Sequence, residues 1–217
     1  MTLLSTRKST LRKNGIARRR RLLDAARSLL QDHDLDEISL GDVAAVADVP
    51  KGSAYHFYSD IKDLYVSLLA DVEEELQTIL KAPIRRQVDS WTGVVEILTK
   101  RGIDYYAKNP ASMKLQVGPK TPPDLKLHDR TNDVALGKIY EQQIGAFFEL
   151  PEVADRSTIF FRAIEIADLM FALSVLEHGQ ITSDMEEEAN RAMCAYLGCY
   201  IPKDLPRRVK SGQGKGG

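Results

Sequence analysis

The segment from Ser39 to Leu64, SLGDVAAVADVPKGSAYHFYSDIKDL, constrains the fold more than any other: it reads as two short helices joined by a tight turn and followed by a longer third. Ser39 can cap a helix whose first turn carries Asp42, because a hydroxyl accepts from orphan backbone N–H groups and an acidic side chain complements the helix dipole. Val43, Ala44 and Ala47 recur at helical spacing and are small enough for a second helix to cross closely. Asp48 falls where the chain must turn, and Asp tolerates left-handed backbone better than most residues. Pro50 is suited to opening the next helix, roughly Lys51 to Tyr58. That helix offers Lys51, Gly52, Ser53, Tyr55 and His56, hydrogen-bonding groups with little aliphatic content, so its outward face suits contact rather than burial. Ser59 and Asp60 break and recap the chain before an apolar-periodic helix through Leu64, Leu68, Leu69, Val72, Leu76 and Ile79.

A second helix that lies in the major groove with its N-terminal residues on base edges is the docking geometry of helix-turn-helix proteins. Charge points the same way. The chain carries 30 Lys and Arg against 31 Asp and Glu, so its overall balance says nothing about nucleic acid. Arg7, Lys8, Arg12, Lys13 and Arg18 to Arg21, however, all precede the first acidic residue, Asp24. Such a basic arm can follow phosphates or enter the minor groove with salt-dependent, sequence-independent affinity. On charge alone it would equally suit a solvated tail. It lacks the apolar core of a secretory signal, and no uninterrupted apolar run is long enough to span a bilayer, which gives the expectation of a cytoplasmic protein.

At Ser39, Val49, Gly52, Tyr55, Phe57 with Tyr58, and Leu64, the segment resembles the DNA-binding domain of the TetR family of bacterial one-component transcriptional regulators. The likeness is close over about the first 65 residues and is only an all-helical outline beyond. Three positions depart from the family pattern. Asp48 stands where glycine is usual, Phe57 where a His or Tyr commonly touches phosphate, and Ile61 where a lysine commonly does. Lys62 is one residue away from the last, and the helix N-terminus at Asp60 still offers backbone donors. The candidate DNA contacts are therefore Arg18, Arg19, Arg20, Ser39, Lys51, Gly52, Ser53, Tyr55, His56 and Lys62. The resemblance implies an all-α protein: an N-terminal three-helix helix-turn-helix domain and a larger C-terminal helical domain that binds ligand and dimerises.

The 217 residues, 43% hydrophobic, suffice for such a pair of domains. The expected division is a basic flexible arm over 1–17, the reading head over 18–65, a regulatory and dimerisation domain over 66–202, and a glycine-rich disordered tail over 203–217. Leu22, Leu23, Ala26, Leu29 and Leu30 form an apolar stripe that should close the head with Leu35 and Ile38. Pro83 is the first break after the stem helix. Helices are expected over about 89–108, 111–117, 124–149, 152–178 and 183–201, with Gly118 to Pro123 a loop, and no segment reads as strand.

From Thr158 to Glu177, Ile159, Phe160, Phe161, Ile164, Ile166, Leu169, Met170, Phe171, Leu173, Val175 and Leu176 wrap nearly all the way round the helix. One covering surface is not enough for it. A central helix of a monomeric bundle is one solution. The other is a dimer, which a short reader needs to gain specificity, with half-sites about 34 Å or a multiple apart. In the resembling family the last two long helices pair with their two-fold mates, which assigns a homodimer interface to residues 158–177 and 186–200. Trp91, Tyr105, Tyr106, Met113, Phe147 and Phe148 could line an apolar effector pocket and could equally be core. The implied partners are an operator in double-stranded DNA and a small molecule of unread identity.

Other chemistry is thin. Cys194 and Cys199 lie five apart, about 140° around a helix, so they cannot readily bridge within it and are expected to be small apolar residues of the last helix. His33, His56, His128 and His178 sit in separate segments without paired ligand spacing, so no metal and no cofactor is expected. No nucleophile, base and orienting group can be nominated together, which argues against an enzyme. The expected function is that of a dimeric repressor released from a palindromic operator by a small-molecule ligand, with two alternatives: an activator or ligand-independent DNA-binding regulator, and a helical ligand-binding protein whose reader has weakened through Phe57 and Ile61.

Overall fold

The computed structural model describes residues 3–208, with side chains described from Asn14 onward. Among the described residues the elements are α1 (Leu3–Asp32), α2 (Leu40–Val46), α3 (Lys51–Phe57), α4 (Ile61–Lys81), α5 (Trp91–Lys108), α6 (Pro110–Gln116), α7 (Pro123–Gly145), α8 (Arg156–His178) and α9 (Ser183–Gly198). The chain is all-α, as expected, and its pairing outside helices includes one isolated antiparallel bridge between Phe148 and Arg207.

Two ends differ from the sequence reading. Helix α1 starts at Leu3, so the stretch expected to be a flexible arm up to residue 17 is helical. Once the packed segment around Leu22 to Leu30 has nucleated the helix, each added residue gains a hydrogen bond without a new nucleation cost, and the leucines, arginines and lysines of 3–17 offset its weaker helix formers such as Asn14 and Gly15. The expected tail is ordered through Arg208: the Glu149 N–H donates to the Pro206 carbonyl and the Arg208 N–H to the Phe147 carbonyl, both at 2.8 Å. The Arg207 guanidinium covers the Phe148 ring at 5.7 Å and reaches Asp89 at 3.1 Å. The side chains of Arg7, Lys8, Arg12 and Lys13 and the residues from 209 onward lie outside the described residues.

The chain divides into two compact units, and the division does not follow the expected boundary at residue 65. The first unit runs through Glu74 and takes in Tyr106–Asp129; the second comprises Glu75–Tyr105 and the chain from Arg130. In the first, Leu22, Ala26, Leu30, Val43, Ala44, Ala54, Tyr58, Leu64 and Leu68 are buried together as the core of the head. Helix α6 belongs to this unit. Ala111 and Leu115 are fully buried, the Lys114 ammonium donates to the His33 carbonyl at 2.8 Å, and Lys120 pairs with Asp36 at 2.6 Å.

In the second unit α8 packs along α9. The turn between them is fixed by Gly179 at φ 70°, the left-handed cap expected after His178, and by the buried Ser174, whose hydroxyl donates to the Gln180 carbonyl and accepts from the Thr182 N–H. Helix α7 approaches α8 at Gly137, where a Cβ would lie 2.8 Å from the Phe161 nitrogen and 2.9 Å from the Phe160 carbonyl carbon. Neither is a flexible side chain that can yield. Gly137→Ala is therefore expected to destabilise the protein by about 2–3 kcal/mol, despite alanine's better helix propensity. An unchanged urea midpoint would contradict this close approach.

Candidate nucleic-acid interface

The local chemistry read from the sequence builds the reading head. Ser39 and Asp42 form a reciprocal capping box at the start of α2: the Asp42 N–H donates to the Ser39 hydroxyl at 3.2 Å, and the Ser39 N–H to the Asp42 carboxylate at 2.9 Å. The Ser39 hydroxyl, and next its backbone N–H, hold the Asp42 carboxyl below the usual carboxylate range. Asp48 takes φ 49°, the left-handed conformation that the turn requires where the family has glycine. Pro50 occupies the N-cap position of α3 without a side-chain cap, and its carbonyl accepts from the Ser53 and Ala54 N–H groups at 2.8 and 3.1 Å. Asp60 caps α4 by accepting from the Asp63 N–H at 2.9 Å, and Asp63 in turn accepts from the Ser59 N–H at 3.0 Å.

Helix α3 has a sharply divided surface. Ala54 is fully buried and the Tyr58 ring that follows the helix is 1% exposed. Arg19 of α1 locks that ring: its Nε donates to the Tyr58 hydroxyl at 3.0 Å, its guanidinium lies 5.4 Å from the ring centroid, and a second nitrogen donates to Ser67 on α4 at 3.0 Å. The opposite face carries Lys51, Gly52, Tyr55 and His56, all exposed, with Ser53 half-buried beside them. Tyr55 is 48% exposed, with the Lys51 ammonium 6.0 Å from its ring centroid. An aromatic this open on a small helix has no packing role to account for it.

Gly52 sharpens the point. A Cβ there would meet nothing within 4 Å, so the protein's own packing does not require glycine in this first turn. Helical glycine costs about 0.5–1 kcal/mol relative to alanine, which makes the open space at Gly52 informative about something outside the chain.

The remaining candidates separate into groups. Arg18 and Lys62 are exposed. Arg19 is engaged with Tyr58 and Ser67, and Arg20 lies 3.0 Å from both Asp24 and Asp71. Ser39 is committed to its capping box. Phe57, the departure from the family pattern, lies against α1: a Cβ on Gly15 would be 3.9 Å from its ring. The Arg19–Tyr58 clamp was not foreseen, and its one sequence signal was a buried-type aromatic placed opposite the arginine run.

The residues expected as pocket lining are shared between the two units. Tyr106 and Met113 fall in the first unit, and Trp91, Tyr105, Phe147 and Phe148 in the second. Trp91 is buried and its Nε1 donates to the Pro202 carbonyl at 3.0 Å, while the Tyr105 hydroxyl donates to Glu75 at 2.8 Å. Phe147 and Phe148 hold the chain's C-terminal return. These are core and anchoring roles. Burial pushes the Cys194 thiol up to about 11, with Glu96 adding to the effect, so it is not poised as a nucleophile. Cys199 caps α9 and is exposed, contrary to the apolar packing expected of it.

No helix among the described residues is long and apolar enough to cross a membrane. The chain matches the family model described as bacterial regulatory proteins, tetR family, over residues 22–68, and that described as tetracyclin repressor-like, C-terminal domain, over residues 89–199. No curated protein matches it. Among solved structures it is similar to a TetR-family transcriptional regulator from Streptomyces coelicolor, with 23% identity and a TM-score of 0.65 over 84% of this chain and 99% of that one. A TetR transcriptional regulator from Rhodococcus sp. RHA1 follows at 18% identity and a TM-score of 0.62, over 83% and 95% of the two chains. At these identities the solved structures speak for the fold, and the family models, which together take in the reading head and most of the second half, speak for descent. The chain belongs to the TetR family of transcriptional regulators, with a helix-turn-helix DNA-binding head at its N-terminus.

Proposed function

We propose that this regulator is a dimeric repressor that occupies a palindromic operator with two α3 helices and leaves it when a small effector binds. The observation that carries the reading is the divided surface of α3: a polar, aromatic face open to solvent on a helix whose other side is locked by Ala54 and the Arg19–Tyr58 clamp. Rigid support of this kind favours base contacts over nonspecific phosphate binding alone. Lys51, Ser53, Tyr55 and His56 are the proposed base-reading set, Gly52 the point of closest approach, and Arg18 and Lys62 the phosphate contacts.

Pairing is supported by α8. Its buried side includes Phe160, Ala163, Ala167, Phe171 and Val175, whereas Leu169, Leu173 and Leu176 stay exposed in the single chain, at 56%, 37% and 63%. These three recur at i, i+4 and i+7 and form one stripe, with the partly exposed Tyr200 following α9. Effector control is supported by α6 and the turn after it, which share a unit with the head and tie to the chain entering α2 through Lys114 of the helix and Lys120 of the turn. Contact with an operator places the site of action in the bacterial cytoplasm.

Selection of sites from random duplexes by the full-length protein tests this reading. A palindrome with half-sites one helical turn or a multiple apart supports it; recovery of no common sequence overturns it. On the selected site Gly52→Ala is expected to weaken binding about tenfold while leaving the melting temperature equal or slightly raised. Unchanged affinity would remove Gly52 from the interface.

A further inference from the structure

Glu73 on α4, Gln116 at the end of α6, and Lys126 and Asp129 near the start of α7 belong to the same compact unit as the reading head. Gln116 is 2% exposed and Asp129 fully buried. The Gln116 Nε2 donates to one Asp129 carboxylate oxygen at 3.2 Å, and the Lys126 ammonium donates to the other at 3.0 Å and to the Gln116 backbone carbonyl at 2.9 Å. Asp129 is thus provided with both a cation and an amide.

Two further oxygens of this unit are not. The Gln116 Oε1 and the Glu73 Oε1 are buried without a hydrogen-bond partner. Buried acceptors are almost always satisfied, so each of these orphans, Gln116 on the amide that holds Asp129 and Glu73 within electrostatic reach of it, calls for a donor that the chain does not provide. Burial first, and repulsion by Asp129 second, push the Glu73 carboxyl up to about 7, so a cation placed against it would be held more tightly as the carboxyl ionises.

We infer that this cluster is the effector site and that it takes a protonated amine, with Glu73 as counter-ion and the Gln116 side-chain carbonyl as a further acceptor. The inference rests on the reading of the protein as an effector-controlled regulator and adds the ligand's chemical class. A divalent cation is the less suitable occupant at Asp129, because the Lys126 ammonium already stands there and would repel it. An ammonium needs a counter-charge and a few acceptors only. The site is also placed to be felt by the head: Gln116 is two residues from Lys114, whose ammonium donates to the His33 carbonyl and lies 3.4 Å from Asp34.

The test uses the full-length protein with a series of amines (methylamine, butylamine and phenethylamine), the uncharged N-acetylphenethylamine, the anionic 3-phenylpropionate, and magnesium and calcium chlorides. Thermal melting and calorimetric titration are the readouts. At least one amine is expected to bind and raise the melting temperature, and the neutral, anionic and metal probes are not. Glu73→Gln is expected to weaken amine binding tenfold or more while raising the melting temperature of the unliganded protein above pH 7. A folded-state carboxyl raised to about 7 destabilises the protein as pH climbs from the ordinary glutamate range, and the amide removes that effect. A merely structural Glu73 would not lose binding while gaining stability. Gln116→Leu should weaken the same amine. The assignment is overturned if no amine binds at millimolar concentration, if the acetylated compound or a metal ion binds as well as the amine, or if Glu73→Gln binds amine unchanged. Operator titrations separate the two claims. An amine that binds through Glu73 without weakening operator binding upholds the site and removes effector release. Release by an uncharged compound that acts equally on Glu73→Gln upholds effector release and removes the site.

Discussion

Tyr55→Ala should weaken binding to the selected operator about 30- to 100-fold, equivalent to about 2–2.7 kcal/mol, with no measurable change in melting temperature. The reason is the asymmetry of α3. Tyr55 is 48% exposed, and the contact given for its ring is a distant Lys51 ammonium, an exposed cation–π pair worth at most about 1 kcal/mol. The ring therefore contributes little to the fold, and its exposed half is available to a base or sugar. Tyr58, three residues on, should behave in the opposite sense. Its ring is buried, so Tyr58→Ala costs stability of about 3–5 kcal/mol and loses DNA binding only because the head unfolds. Equilibrium denaturation and fluorescence anisotropy on the same preparations distinguish the two. A Tyr55 variant with intact operator affinity would remove this face of α3 from the reading role.

The second large effect concerns α8. Leu169→Arg combined with Leu173→Arg should raise the dimer dissociation constant more than about 100-fold, because two side chains each contributing about 1.5–3 kcal/mol on burial are replaced by charges. Palindrome binding should fall with it, since each head alone reads a short half-site. The fold of the single chain should persist, because both leucines are exposed in it and neither supports the Phe160, Phe171 and Val175 side of the helix. Sedimentation would report the change as a halved mass. An unchanged mass would direct attention away from this stripe as the pairing surface.

The parts of this molecule that were legible in advance are those set by neighbours in the chain. The Ser39–Asp42 capping box, the left-handed Asp48 and the cap at Asp60 each depend on residues within four positions of one another, and each formed as the residue types dictate. The exposure of Tyr55 and His56 followed from the same local pattern. What escaped the reading depends on distant pairings. Lys120 finds Asp36 across 84 residues and Trp91 finds Pro202 across 111, and no periodicity announces either. The first of these ties the turn after α6 to the chain entering α2; the second anchors the buried tryptophan to the C-terminal stretch. The late start of α8 at Arg156 has a local cause, Asp155 at φ 52°, which ends the preceding loop in a left-handed turn. Gln116 and Asp129 attracted no notice because single polar residues in amphipathic helices usually face water, and only packing shows them to be buried.

The most direct test of the central claim, a two-fold pair of α3 helices reading two half-sites, is the affinity of the full-length protein for the selected palindrome compared with a duplex in which the half-sites are moved apart by half a helical turn, about five base pairs. Each half-site sequence is preserved, so phosphate and base contacts of a single head are unaltered, and only the geometry joining the heads is broken. The account predicts a loss of at least about 100-fold on the respaced duplex. Equal affinity for the two would contradict it, since heads that bind without regard to spacing are not held as a two-fold pair.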